Sequence, residues 1–183
     1  MKQGLIIIDV QKDYFKGGRF ELYEPEKVCI VIQKLLEYFR SHNLPIYFIQ
    51  HLSSQGAVFF DPTTEGIDIH KDIKPQIGEK VITKHFPNSF LKTTLLNDLK
   101  KDGVTNLIIC GMMTHMCVDS TVRAAKDHGY TVTLISNACA TKNVIWNGKI
   151  VPAESVQQVC FAALNKVFAT VVTDEDFFAE KIN

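Results

Sequence analysis

Short apolar runs alternate with longer amphipathic stretches along this chain. Residues 5–9, LIIID, form a continuous branched run of the kind found in strands buried on both faces. In PEKVCIVIQKLLEYFRSH, residues 25–42, Val28, Ile32, Leu35, Leu36 and Phe39 recur at helical spacing, and Pro25 suits a first helical turn. Further strands are predicted at 45–50 (PIYFIQ), 80–83 (KVIT), 106–111 (NLIICG), 131–136 (TVTLIS) and 170–173 (TVVT). Further helices are predicted at 89–103, 114–129 and 154–168, the first two closed by Gly103 and Gly129. Two irregular stretches remain, a long one from His51 to about Glu79 and a polar, glycine-containing one at 137–152. A loop as long as the first is usually functional.

This alternation predicts an α/β fold. Parallel strands need crossovers, and crossovers stack helices on the sheet. The expected architecture is a single-domain three-layer sandwich spanning 1–183, with a mainly parallel six-stranded sheet and helices on both faces. Ligands of such sheets lie beyond the carboxyl ends of the strands. The first strand ends at Asp9, the third at Lys84, and the fourth at Gly111, shortly before Cys117. An acid, a base and a thiol therefore reach one edge from three places in the chain.

Composition narrows the functions this edge can serve. Apolar residues make up 46% of the chain, charged residues 22%, and the formal net charge is zero. That balance gives no electrostatic case for nucleic acid or an anionic membrane as partner. No apolar run approaches the ~20 residues that span a bilayer. The start, MKQGLIIIDVQKDYF, lacks a small-residue cleavage site, so no signal peptide is expected. The five cysteines have no C-x-x-C spacing, which argues against a disulfide framework or a four-thiolate metal site and fits a reducing, cytoplasmic setting. The turn after the first strand, DVQKDYFKGG, has no glycine fingerprint for a nucleotide phosphate.

Cys117 is open to two readings. It is a small apolar residue packing its helix on the sheet, or a reactive thiol. If Thr114 caps the helix, Cys117 is its third residue, where unpaired N–H groups and the helix dipole favour thiolate and could hold an oxyanion. Asp9 either caps the following loop or serves as a general base. Lys84 is either a solvated loop lysine or the cation that keeps Asp9 ionised.

Three segments bear on the choice: LIIIDVQKDYF with its D-x-Q-x-D at 9–13, VITKHFPNSF with Lys84, Ser89 and Phe90, and G-x-x-T-x-x-C-V-x-x-T at 111–121. In that order, and over the span from Gly4 to about Phe177, they resemble the isochorismatase-like cysteine hydrolases, a family that includes nicotinamidases. The resemblance implies a Cys117–Asp9–Lys84 triad that hydrolyses a C–N, amide-type bond of a small molecule through a thioester. It also implies a cis peptide between Met112 and Met113, which aims the amides of Met113 and Cys117 at one oxyanion.

The same resemblance sets expectations around the triad. Tyr14, Phe86 and His115 are candidate substrate contacts. Of Phe59 and Phe60, adjacent in the long loop, one is expected to leave the core and cover the pocket or a neighbouring subunit. Zinc-containing nicotinamidases carry Asp-x-His after the second strand, whereas here Ile49 stands two residues before His51. His51, Asp61 and His70 could still gather around a metal, but no metal and no cofactor is expected. Cys29, Cys110, Cys139 and Cys160 are expected to be packing residues. The expected partners are a small-molecule substrate and further copies of the chain, as a homodimer or larger homo-oligomer. The alternatives are isochorismatase-type or nicotinamidase activity, or a non-enzymatic protein using Cys117 as a redox or binding thiol.

Overall fold

The computed structural model describes residues 2–182. Six strands form one sheet: β1 (Gln3–Ile8), β2 (Ile46–His51), β3 (Lys80–Lys84), β4 (Asn106–Met112), β5 (Thr131–Ala140) and, after the hairpin of β6 (Val144–Trp146) and β7 (Lys149–Val151), β8 (Thr170–Val172). Their order is β3-β2-β1-β4-β5-β8, and every neighbouring pair is parallel. The helices are α1 (Pro25–Ser41), α2 (Leu95–Lys101), α3 (Asp119–Asp127), α4 (Ala153–Leu164) and α5 (Asp174–Ile182). This is the expected α/β sandwich.

The branched run in β1 explains its place inside the sheet. Leu5 and Ile7 point to one face, where they pack with Val28, Ile32, Leu35 and Phe39 of α1 and Phe177 of α5. Ile6 and Ile8 point to the other, among Leu95 and Leu99 of α2, Val122 of α3 and Leu164 of α4. Burying one such side chain contributes roughly 1.5–3 kcal/mol, so a polar residue on either face would be selected against energetically. Strand order reverses beside β1, with β2 and β3 on one side and β4 and β5 on the other. A crevice is expected at the carboxyl ends of strands at such a switch point.

Gly111 lets β4 pass close to β1 there. Its φ is +127°, and a Cβ would come within 2.1 Å of the Ile8 carbonyl oxygen. The β4–β5 pairing shifts register between Ile109 and Gly111. Only glycine accepts both that dihedral and that approach.

Several expectations need correction. The helix predicted at 89–103 covers only Leu95–Lys101; residues 89–94 make turns, with Lys92 at φ +56°. The stretch 137–152 is largely ordered: β5 runs on to Ala140, and VIWNGKIV folds as a β-hairpin. Asn147 and Gly148 both have positive φ, as a tight two-residue hairpin turn requires. The C-terminal helix α5 lies beyond the last element that the sequence pattern predicts. Phe59 and Phe60 both join one aromatic cluster with Tyr14, and Phe59 stacks on Phe20. The left-handed φ of +56° at Phe60 turns the two adjacent rings toward the same side. Among the described residues, no helix is long and apolar enough to cross a membrane.

Candidate active site

Asp9 directly follows β1, with φ +52°, and its N–H donates to the Ile49 carbonyl of β2. Lys84 is the last residue of β3, paired in register with His51, the last residue of β2. Cys117 lies in a single π-type turn, Thr114–Val118, that leads from β4 into α3. Parallel strands put all three carboxyl ends on one edge, so topology alone brings these residues together.

The resulting group is almost fully enclosed. Asp9 and Lys84 are 0% exposed and Cys117 is 4% exposed. Lys84 Nζ lies 2.9 Å from Asp9 Oδ2 and also donates to the Pro87 carbonyl at 2.9 Å. Burial alone would push the Lys84 ammonium down, but the Asp9 carboxylate outweighs it and holds Lys84 above the ordinary lysine value. Neither oxygen of the buried Asp9 carboxylate accepts a well-formed hydrogen bond among the described residues; the Lys84 ammonium meets Oδ2 as an ion pair. A buried carboxylate oxygen left without a donor is costly, and such groups concentrate where a ligand or a proton is to be received.

The environment of Cys117 differs from the sequence expectation. Thr114 does not cap the turn: Met113 holds that position in extended conformation, and the Thr114 hydroxyl donates to the Ala140 carbonyl at 3.1 Å. Nor is the thiolate favoured at rest. Burial pushes the thiol up, the Asp9 carboxylate adds to this, and the Lys84 ammonium opposes it. The resting side chain is therefore a neutral thiol beside a carboxylate. The peptide between Met112 and Met113 is cis.

His51 completes the group, and the sequence reading did not place it there. Its Nδ1 lies 3.7 Å from Asp9 Oδ2 and 3.9 Å from Cys117 Sγ. Among the described residues, Asp9, His51 and Cys117 form a set of donor atoms within 4.8 Å of one another. Gln11, wholly buried, clamps this histidine. Its Oε1 accepts from the His51 N–H at 2.7 Å, and its Nε2 donates to the carbonyls of His51 and Ile67 at 2.9 Å each. Asp13 does the same for the loop above, accepting from the N–H groups of Phe60 at 2.6 Å and Arg19 at 3.2 Å. The D-x-Q-x-D run thus supplies a carboxylate at the site, a clamp on His51 and an anchor for residues 59–60.

The candidate substrate contacts fall at different depths. Tyr14 is buried, and burial followed by the Asp9 carboxylate pushes its phenol well up. His115 is half-buried, with Nδ1 2.6 Å from the Thr141 hydroxyl; burial lowers its pKa. Phe86 is on the surface, with Lys92 Nζ 5.4 Å above its ring. A surface cleft of about 650 Å³ opens beside the group, lined by His51, Leu52, Ser53, Ser54, Ala57 and His85.

His51, Asp61 and His70 do not converge on a metal. Asp61 accepts hydrogen bonds from Gly56 and Thr63, while His70 stacks on Phe15 with Nδ1 3.7 Å from Cys29 Sγ. Ile49 offers no donor and is buried in the sheet. The nicotinamidase-type zinc set therefore does not fit these residues. Cys29, Cys110 and Cys139 are buried packing residues as expected, whereas Cys160 is only half-buried.

The Isochorismatase domain matches residues 3–176 of the chain. The isochorismatase family protein YddQ of Bacillus subtilis is 47% identical over 97% of this chain and 99% of its own length. A streptothricin hydrolase of Streptomyces noursei is 31% identical over 78% of this chain and 56% of its own length. Among solved structures, an isochorismatase from Pseudomonas putida superposes with a TM-score of 0.89 at 36% identity, covering 95% of this chain and 89% of that one. By motif, fold and sequence, the chain belongs to the isochorismatase family.

Proposed function

We propose that this protein is a cysteine-dependent hydrolase of a C–N, amide-type bond in a small molecule. The carrying observation is the buried Lys84–Asp9 ion pair beside the Cys117 thiol, with neither Asp9 oxygen accepting a well-formed hydrogen bond among the described residues. An unpaired carboxylate oxygen next to a neutral thiol is the arrangement that takes a proton as the sulfur attacks. The streptothricin hydrolase relative supports hydrolysis as the reaction type.

In this reading Asp9 removes the Cys117 proton and the thiolate attacks the carbonyl carbon. The amides of Met113 and Cys117 hold the oxyanion. Asp9 returns its proton to the nitrogen as the C–N bond breaks, and ammonia or an amine leaves. Water then hydrolyses the thioester. Lys84 keeps Asp9 ionised until the thiol proton arrives. Tyr14, Phe86 and His115 are the proposed substrate contacts. The redox alternative fares worse, because peroxide reacts with thiolate and the surroundings of Cys117 favour the thiol.

Homo-oligomerisation belongs to the same proposal. Ile145 and Ile150, paired across the β6–β7 hairpin, are both exposed, an apolar pair that a second copy would cover. Sedimentation reads this directly.

The test of the reaction is ammonia release from a panel of small primary amides, nicotinamide and pyrazinamide included, with and without chelator. Release by one amide, insensitive to chelator, is the expected result. Silence across primary amides, ureido acids and lactams alike overturns the reading.

A further inference from the structure

The geometry points to His51 as a second catalytic residue, the acid–base that hydrolyses the thioester on Cys117. This rests on the cysteine-hydrolase reading and assigns its second half-reaction. Three observations support it. His51 Nδ1 stands within 4 Å of both Cys117 Sγ and Asp9 Oδ2. Gln11 holds the residue's backbone at both the N–H and the carbonyl, and Phe60 flanks its ring at 5.8 Å between centroids. His51 also lines the adjoining cleft, while Asp9 and Lys84 are sealed from solvent. Of the four residues, His51 alone lines that cleft.

The division of labour follows from chemistry. Asp9 starts as a carboxylate, carries the thiol proton to the departing nitrogen and ends as a carboxylate again. Its Oδ2 remains against Lys84 throughout. Imidazole takes up and returns a proton near neutral pH more readily than any other side chain. His51 Nδ1 accepts a proton from water as the water oxygen bonds to the thioester carbon. The tetrahedral intermediate then collapses, the C–S bond breaks, and the same proton passes from Nδ1 to Sγ. A free carboxylic acid and the Cys117 thiol result, with no other reactant required. While His51 is charged, the Asp9 carboxylate 3.7 Å away stabilises it, as a carboxylate does for the histidine of other nucleophile–histidine pairs.

The experiment uses 4-nitrophenyl acetate, which acylates thiols without needing a proton at the leaving group. Wild type, His51→Gln, His51→Asn and Cys117→Ala are mixed with it, nitrophenolate is followed in time, and quenched samples are weighed by intact mass. The expected result is an acetyl adduct on Cys117 in wild type and both histidine variants, with a burst of one nitrophenolate per chain. The adduct should then decay about 100-fold more slowly in the histidine variants, the usual contribution of one acid–base group. Added imidazole should restore part of the decay rate in His51→Asn. Adducts that decay equally fast in all three overturn the role of His51 and leave the cysteine reading intact. A burst lost in folded histidine variants places His51 in acylation and overturns the assignment to the thioester. No adduct in wild type or in either histidine variant overturns the cysteine reading, and with it this inference.

Discussion

Lys84 Nζ sits 2.9 Å from Asp9 Oδ2, with neither side chain exposed to solvent. Two charges so deeply placed are stable only together, because desolvation of each is offset by the other. Lys84→Met should therefore do more than remove a cation. It strands a buried carboxylate, at a cost of about 3–5 kcal/mol when one partner of such a pair is lost. Denaturant unfolding should register that loss, and amide hydrolysis should fall by about 100-fold or more because the Asp9 carboxylate loses the cation that holds it. A variant of wild-type stability would show that the pair contributes nothing to the fold.

Gln11 offers a test of how the site is held. Gln11→Leu keeps the size of the side chain but leaves the His51 N–H and carbonyl without the partners they have now. Each buried group left unpaired costs about 1–3 kcal/mol. The melting temperature should drop, and turnover should fall with substrate binding little changed. Equal loss in KM and kcat would move Gln11 from positioning His51 to binding the substrate.

Gly111 tests the switch point. Gly111→Ala places a methyl against the Ile8 backbone at a positive φ. The fold should lose at least about 2 kcal/mol or fail to form. A soluble, normally melting Gly111→Ala protein would mean that β4 can move away from β1.

His70 gives stability a pH dependence away from the site. Burial lowers its pKa from 6.5, with Asp72 opposing. The unfolded chain thus binds a proton that the folded chain resists, so stability is complete above about pH 6.5 and declines as pH falls below it. Melting curves from pH 7.5 to 5 should show that decline, and His70→Gln should reduce it, leaving the part due to His115, whose pKa burial also lowers. A decline of the same size in His70→Gln would assign the effect to other groups.

Much of this fold is legible in the sequence because its strands are buried on both faces. Leu5 to Ile8 must be apolar throughout, and such runs stand out from amphipathic helices such as α1. Asp9, Lys84 and Cys117 are legible for the same reason, as reactive residues just after apolar runs. His51 is not legible because in the sequence it looks like the start of the long loop. It is the last residue of β2, and β2 lies between the strands that deliver Asp9 and Lys84. Knowing the strand order would have placed it at the site. The β6–β7 hairpin was missed for a different reason. Asn147–Gly148 between VIW and KIV is a local hairpin signal, but strands of three residues inside a polar stretch carry too little periodicity to stand out. The burial of Cys117 could not be read from spacing, since helix position favours thiolate while enclosure by the sheet favours thiol, and only packing decides between them.

The most direct test of the central claim is ammonia release by Cys117→Ala beside wild type, on any amide that wild type hydrolyses. The substitution removes one sulfur from a site that the sheet and α3 already hold in place, so the variant should fold and melt as wild type does. Its rate should fall at least about 1,000-fold, as expected when a nucleophile is removed. A folded Cys117→Ala protein that retains about a tenth of the wild-type rate or more would contradict the assignment of Cys117 as nucleophile.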